Sequence, residues 1–88
     1  RYIYVTRNPV GCFASAADFV GMLAGPIAPD RAGLLDWFCS DEMWWGPWPD
    51  HVEGWWRASL ERPNVLFLHF EEMLEDLPSC VDRVAAFL

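Results

Sequence analysis

The stretch that most constrains this chain is Arg1 to Phe19, RYIYVTRNPVGCFASAADF. Tyr2-Ile3-Tyr4-Val5-Thr6 is rich in aromatic and β-branched residues and reads as a short strand. The chain then turns at Arg7-Asn8-Pro9 and enters a helix. Asn8 suits the N-cap, because its side-chain oxygen can accept from an amide of the first turn. Pro9 suits the first helical position, where a missing N–H is no loss and φ is already helical. Arg7 stands beside the positive end of the helix dipole. A strand that feeds a helix end next to a guanidinium is the local geometry of an anion site.

The helical repeat divides the residues after Pro9 into two faces. Val10, Phe13, Ala14, Ala17, Gly21 and Ala24 share one side and form the expected core stripe. Gly11, Ser15, Phe19 and Met22 share another, which grades from small and polar to apolar. Gly11 leaves room for a ligand and Ser15 offers a hydroxyl. By spacing alone, Ser15 also suits a tight helix contact and Arg7 an ordinary surface cation, which are the commoner roles.

Length bounds the answer. The chain has 88 residues, enough for one small domain. It begins inside a strand, ends inside an apolar helix and shows only two strand-like runs, too few for a stable sheet of their own. It therefore reads as a fragment of a larger α/β domain of three layers, with parallel strands in the order strand, helices, strand, helix. Apolar residues make up 53% of it, which excludes a disordered chain. The net charge is −7 and none of the cations is Lys, so a broad basic surface for nucleic acid is ruled out. No uninterrupted apolar run is as long as a membrane span. The three cysteines, Cys12, Cys39 and Cys80, lack metal-ligand spacing and read as reduced thiols of a cytoplasmic protein, with no metal expected.

Further along, Gly25-Pro26 punctuates the end of the first helix near Ala24, and Gly25 to Pro29 reads as a loop. Asp30 can cap a second helix carrying Leu34, Leu35, Phe38 and Cys39. Six Trp fall between Trp37 and Trp56, as a base- or sugar-stacking surface or, more commonly, as hydrophobic mass. Trp48 or Asp50 opens a helix that turns Val52, Trp55, Trp56 and Leu60 toward the core. Arg62-Pro63-Asn64 is a turn, and Val65 to Phe70 is an apolar run typical of a strand covered on both faces. Glu71 to Asp76 reads as a short helix broken by Leu77-Pro78. Val81, Val84, Ala85 and Leu88 form the stripe of a last helix. His51 and His69 both lie near acids, and each is read as structural rather than as a general base.

Three blocks carry a resemblance. YVTRNPVGCFASAADF resembles the 3′-phosphate-binding segment of the cytosolic-type sulfotransferases, which use PAPS (3′-phosphoadenylyl sulfate). GPWPDHVEGWW resembles a packing helix of the same family, and VLFLHFEEM followed by Pro78 resembles its later strand and helix. The resemblance implies that Arg7 and Ser15 bind the 3′-phosphate, that Phe70 contacts the adenine, and that Phe19 and Trp45 line the acceptor pocket. It also implies a P-loop-like fold. Departures are visible. Val10-Gly11 stands where many members have Lys-Asp, and Ala16-Ala17 where many have aromatics. Trp45 and Phe70 each stand where Tyr is common.

The implied function is transfer of a sulfuryl group from PAPS to a hydroxyl or amine of a small acceptor. The family's phosphate-loop Lys and catalytic His would lie before Arg1, and its later Arg-Lys-Gly segment after Leu88, so no catalytic residue is expected within the chain and the chain alone is expected to be inactive. Two other readings stay open from sequence. One is a kinase-like nucleotide enzyme sharing the strand-turn-helix phosphate site. The other is a non-catalytic module that docks through its Trp-rich helices. Acceptor identity and oligomeric state are not legible.

Overall fold

The structure is a computed structural model that describes every residue from Arg1 to Leu88. Its elements run β1 (Tyr2–Thr6), α1 (Pro9–Ala24), a 3-10 turn (Gly25–Ile27), α2 (Arg31–Phe38), α3 (Trp48–Glu61), β2 (Val65–His69), α4 (Phe70–Glu75) and α5 (Leu77–Phe87). β1 and β2 pair in parallel, with Tyr2 opposite Val65 and Thr6 opposite His69. This is the α/β arrangement of parallel strands and helices that the pattern of runs predicts. The chain divides into two compact units. One comprises Arg1–Arg7 with Val52–Leu88, the other Asn8–His51.

The first unit is built on the sheet. Val65, Phe67 and Leu68 are buried, and because successive residues of a strand face opposite sides, β2 is covered on both. Leu68 is the most enclosed side chain, only 2% exposed. Phe67 meets Tyr4 at 5.2 Å and Trp56 at 5.3 Å between ring centroids, while Tyr4 stacks on Trp55 at 5.2 Å. Trp55 is thus half-buried hydrophobic mass on the strands, whereas Trp56 touches Phe67 but stays 47% exposed and does not turn fully inward as its spacing predicts. His69 is exposed, with its ring edge-on to Phe67 at 5.3 Å.

The second unit packs α1 on α2. Phe13 meets Phe38 edge-on at 5.5 Å, and Ala17, Leu34, Phe38 and Met43 form the buried centre. Both helices start where their caps predict. Asn8 Oδ1 accepts from the Gly11 amide at 2.7 Å, and Asp30 Oδ1 from the Gly33 amide at 2.8 Å. Gly25 ends α1 with φ of 56°, a left-handed conformation that glycine adopts without steric cost.

Several expectations need correction. Val10 is 77% exposed and does not join the core stripe, because it sits in the first turn, ahead of the Phe13–Ala17 contact with α2. Leu60 also faces outward. Gly25 to Ile27 is a 3-10 turn, not an open loop. The second strand ends at His69, and Phe70 begins α4. Leu77-Pro78 starts α5 instead of merely breaking α4, since Asp76 caps that helix by accepting from the Ser79 amide at 3.1 Å. The inward stripe of α5 is accordingly Cys80, Val84 and Phe87, while Val81, Ala85 and Leu88 are exposed. Finally, Pro9–Ile27 is long and apolar enough to cross a membrane by length and composition. Counting uninterrupted runs missed it because Asp18 interrupts the series, yet one carboxylate barely lowers the average of so apolar a helix. Core helices of soluble proteins pass the same test. Here Asp18 pairs with Arg31 of α2 at 3.3 Å.

Candidate functional site

The candidate site begins where the two parallel strands end. Thr6 and His69 are register partners, so the next residues, Arg7 and Phe70, leave adjacent strands at the same carboxyl edge. The Arg7 guanidinium lies over the Phe70 ring, 4.8 Å from its centroid. At that distance the ring's negative face attracts the cation. Phe70 is half-buried and Arg7 is exposed, so the pair is a fixed ring carrying an accessible charge. Both were expected from the sequence as nucleotide residues, and the fold brings them into contact.

Ser15 and Phe19 belong to the second unit, one turn apart on α1, and both are exposed. The face they share is open, as a ligand-facing stripe requires. Trp45 also lies in this unit and is exposed. It ends a run of indoles, with Trp44 at 6.2 Å from it and Trp37 at 5.1 Å from Trp44. A separate groove of about 330 Å³ is lined by Pro9, Phe38, Cys39, Pro47, Trp48 and Pro49. It has the volume of a small-ligand pocket but no charged side chain. Neither Phe19 nor Trp45 lines it.

The start of α1 offers an anion fewer donors than its position suggests. Pro9 has no N–H. The Gly11 amide donates to Asn8 Oδ1, and the Cys12 amide donates to the Asn8 carbonyl at 2.9 Å. An anion here would be held mainly by side chains, with the helix dipole as background.

Comparison with known proteins decides the family. The family profile described as Sulfotransferase domain matches residues 1–88, the whole chain. The chain belongs to the sulfotransferase family. Among relatives of this sulfotransferase chain, Sulfotransferase 2B1 of Mus musculus is 36% identical over 91 residues, covering 100% of the chain and 26% of the relative. Cytosolic sulfotransferase 15 of Arabidopsis thaliana is 32% identical over 93 residues, covering 100% and 25%. Cytosolic sulfotransferase 1 of Danio rerio is 35% identical over 89 residues, covering 100% and 30%. The sulfotransferase chain thus spans only 25% to 30% of the length of these relatives.

Sequence reasoning missed one arrangement near the sulfotransferase chain's strand edge. Arg83 of α5 donates from Nη1 to Glu72 Oε2 at 3.0 Å and from Nη2 to the Phe67 carbonyl at 3.2 Å. Residues 72 and 83 sit on different helices, so no periodic signal links them. The only hint was an arginine on a helix otherwise rich in small and apolar residues.

Proposed function

We propose that the chain is the segment of a PAPS-dependent sulfotransferase that reads the 3′-phosphate of the nucleotide and lines part of the acceptor pocket. The adjacency of Arg7 and Phe70 at the carboxyl edge of a parallel strand pair carries this reading, since ligands of open α/β sheets bind outside that edge. A cation resting on an aromatic ring suits a nucleotide, which brings both a phosphate and a base. The partly used amides of α1 fit the same assignment, because they leave phosphate binding to side chains.

On the strength of the matching motif, Arg7 and Ser15 are the proposed 3′-phosphate ligands. The guanidinium would donate N–H bonds to the phosphate oxygens, and the Ser15 hydroxyl would add another. Phe70 gives ring contact to the adenine without the hydroxyl of a Tyr. Phe19 and Trp45 supply aromatic walls that exclude water from the acceptor, a small molecule with a hydroxyl or amine. PAPS, when bound, would supply the sulfuryl group, and its 5′-phosphate would leave as part of adenosine 3′,5′-bisphosphate. The base that takes the acceptor proton and the cation that steadies the leaving group come from residues outside this chain. The name "cytosolic" borne by two of the relatives supports a cytoplasmic location. The ion pair between Asp18 of α1 and Arg31 of α2 supports reading α1 as a helix packed on its neighbour and not a membrane span.

The test uses adenosine 3′,5′-bisphosphate and adenosine 5′-phosphate as probes of the full-length enzyme. Arg7→Ala should weaken binding of the bisphosphate about tenfold to a hundredfold, the worth of a hydrogen bond to a charged group. Binding of the monophosphate should change much less. Equal weakening of both probes would remove Arg7 from the 3′-phosphate site.

A further inference from the structure

The Arg7–Phe70 pair depends on where Phe70 points, and the backbone of a short helix fixes that direction only weakly. β2 passes into α4 with no intervening residue, His69 ending one and Phe70 starting the other. α4 has only six residues, too few to hold a helical direction by its own hydrogen bonds. Its cap residue, His69, makes no side-chain capping bond. Yet the Phe70 ring sits squarely under the Arg7 guanidinium.

Arg83 adds a constraint from outside the corner. Its guanidinium reaches the Phe67 carbonyl within β2 and the Glu72 carboxylate in the first turn of α4. One side chain from a third element therefore grips the strand before the corner and the helix after it. The guanidinium is planar and rigid, so its two bonds fix an angle as well as two distances. Phe70 lies between the two gripped residues in the chain. We propose that Arg83, acting with Glu72, is a positioning residue for the nucleotide: it sets the β2–α4 corner so that Phe70 meets Arg7 and the base. This rests on the reading of Arg7 and Phe70 as nucleotide contacts. Arg83 itself touches no nucleotide.

A double-mutant cycle on the full-length enzyme, with adenosine 3′,5′-bisphosphate as titrant, separates positioning from general support. Arg83→Met should weaken binding about threefold to tenfold in the wild-type background and by less than about twofold when Phe70 is already Ala. Glu72→Gln breaks the same grip from its other end and should behave alike, which carries the test if Arg83→Met does not fold. Arg83→Lys keeps the charge but loses the fork, so it should restore little. Equal losses in both backgrounds, or no loss in either, overturn the positioning role. If Phe70→Ala and Arg7→Ala both leave bisphosphate binding intact, the nucleotide reading fails first. A loss on Phe70→Ala with none on Arg83→Met or Glu72→Gln defeats the positioning role alone.

Discussion

Asp76 shows how much one side chain can decide locally. Its carboxylate accepts from the Ser79 amide at 3.1 Å and opens α5. That backbone bond, and then the bond to the Ser79 side chain, hold the Asp76 carboxyl below its ordinary pKa, outweighing a small desolvation effect in the other direction. A depressed carboxyl stabilises the fold fully above its unfolded pKa, and that contribution fades as pH falls through the lower, folded value. Asp76→Asn can still cap but cannot titrate. Thermal scans of the full-length enzyme from about pH 6 to about pH 3 should show a shallower acid decline for Asp76→Asn than for wild type. Parallel declines would mean that the cap is not the source of the shift.

At the scale of elements, β2 concentrates the packing. Leu68 is 2% exposed and faces Met73, Leu77, Cys80 and Val84 across a small apolar space. Leu68→Ala should lower unfolding free energy by about 2–5 kcal/mol, the cost of a buried Leu truncated where neighbours cannot collapse. Urea unfolding of the full-length enzyme measures this, and a loss under about 1 kcal/mol would show the site to be loosely packed. The elements themselves were legible to the degree that their signals are local. Asn8 and Asp30 act within three residues, so the starts of α1 and α2 could be read directly. The apolar run of β2 was equally plain. The ends of that run were not, because Phe70 suits a strand and a helix start alike. Asp76 was read only as part of an acidic run, and its cap was missed. At the candidate site, Arg7, Ser15 and Phe19 came from a contiguous motif, whereas the Arg7–Phe70 contact joins residues 63 positions apart in sequence. Strand pairing creates that contact, and no local pattern encodes it. The Arg83 grip is hidden for the same reason.

For the whole molecule, the proposed function assigns the chain part of a binding surface and none of the chemistry. It has no Lys; His51 is half-buried on α3, and His69 is exposed with its ring edge-on to Phe67. The 88-residue chain alone should not transfer sulfuryl groups from PAPS. Incubation with labelled PAPS and a panel of phenols, alcohols and amines checks this, and a labelled product would show that the catalytic groups lie inside the chain after all. The row of indoles Trp37, Trp44 and Trp45 has a consequence of a different kind. Rings 5.1 Å and 6.2 Å apart, set nearly edge-to-face, exchange electronic excitation instead of emitting independently. A compound that touches exposed Trp45 therefore changes the emission and near-ultraviolet dichroism of the other two as well. Under the proposed role of Trp45 as an acceptor wall, acceptors should be rankable by optical titration alone, without donor and without turnover.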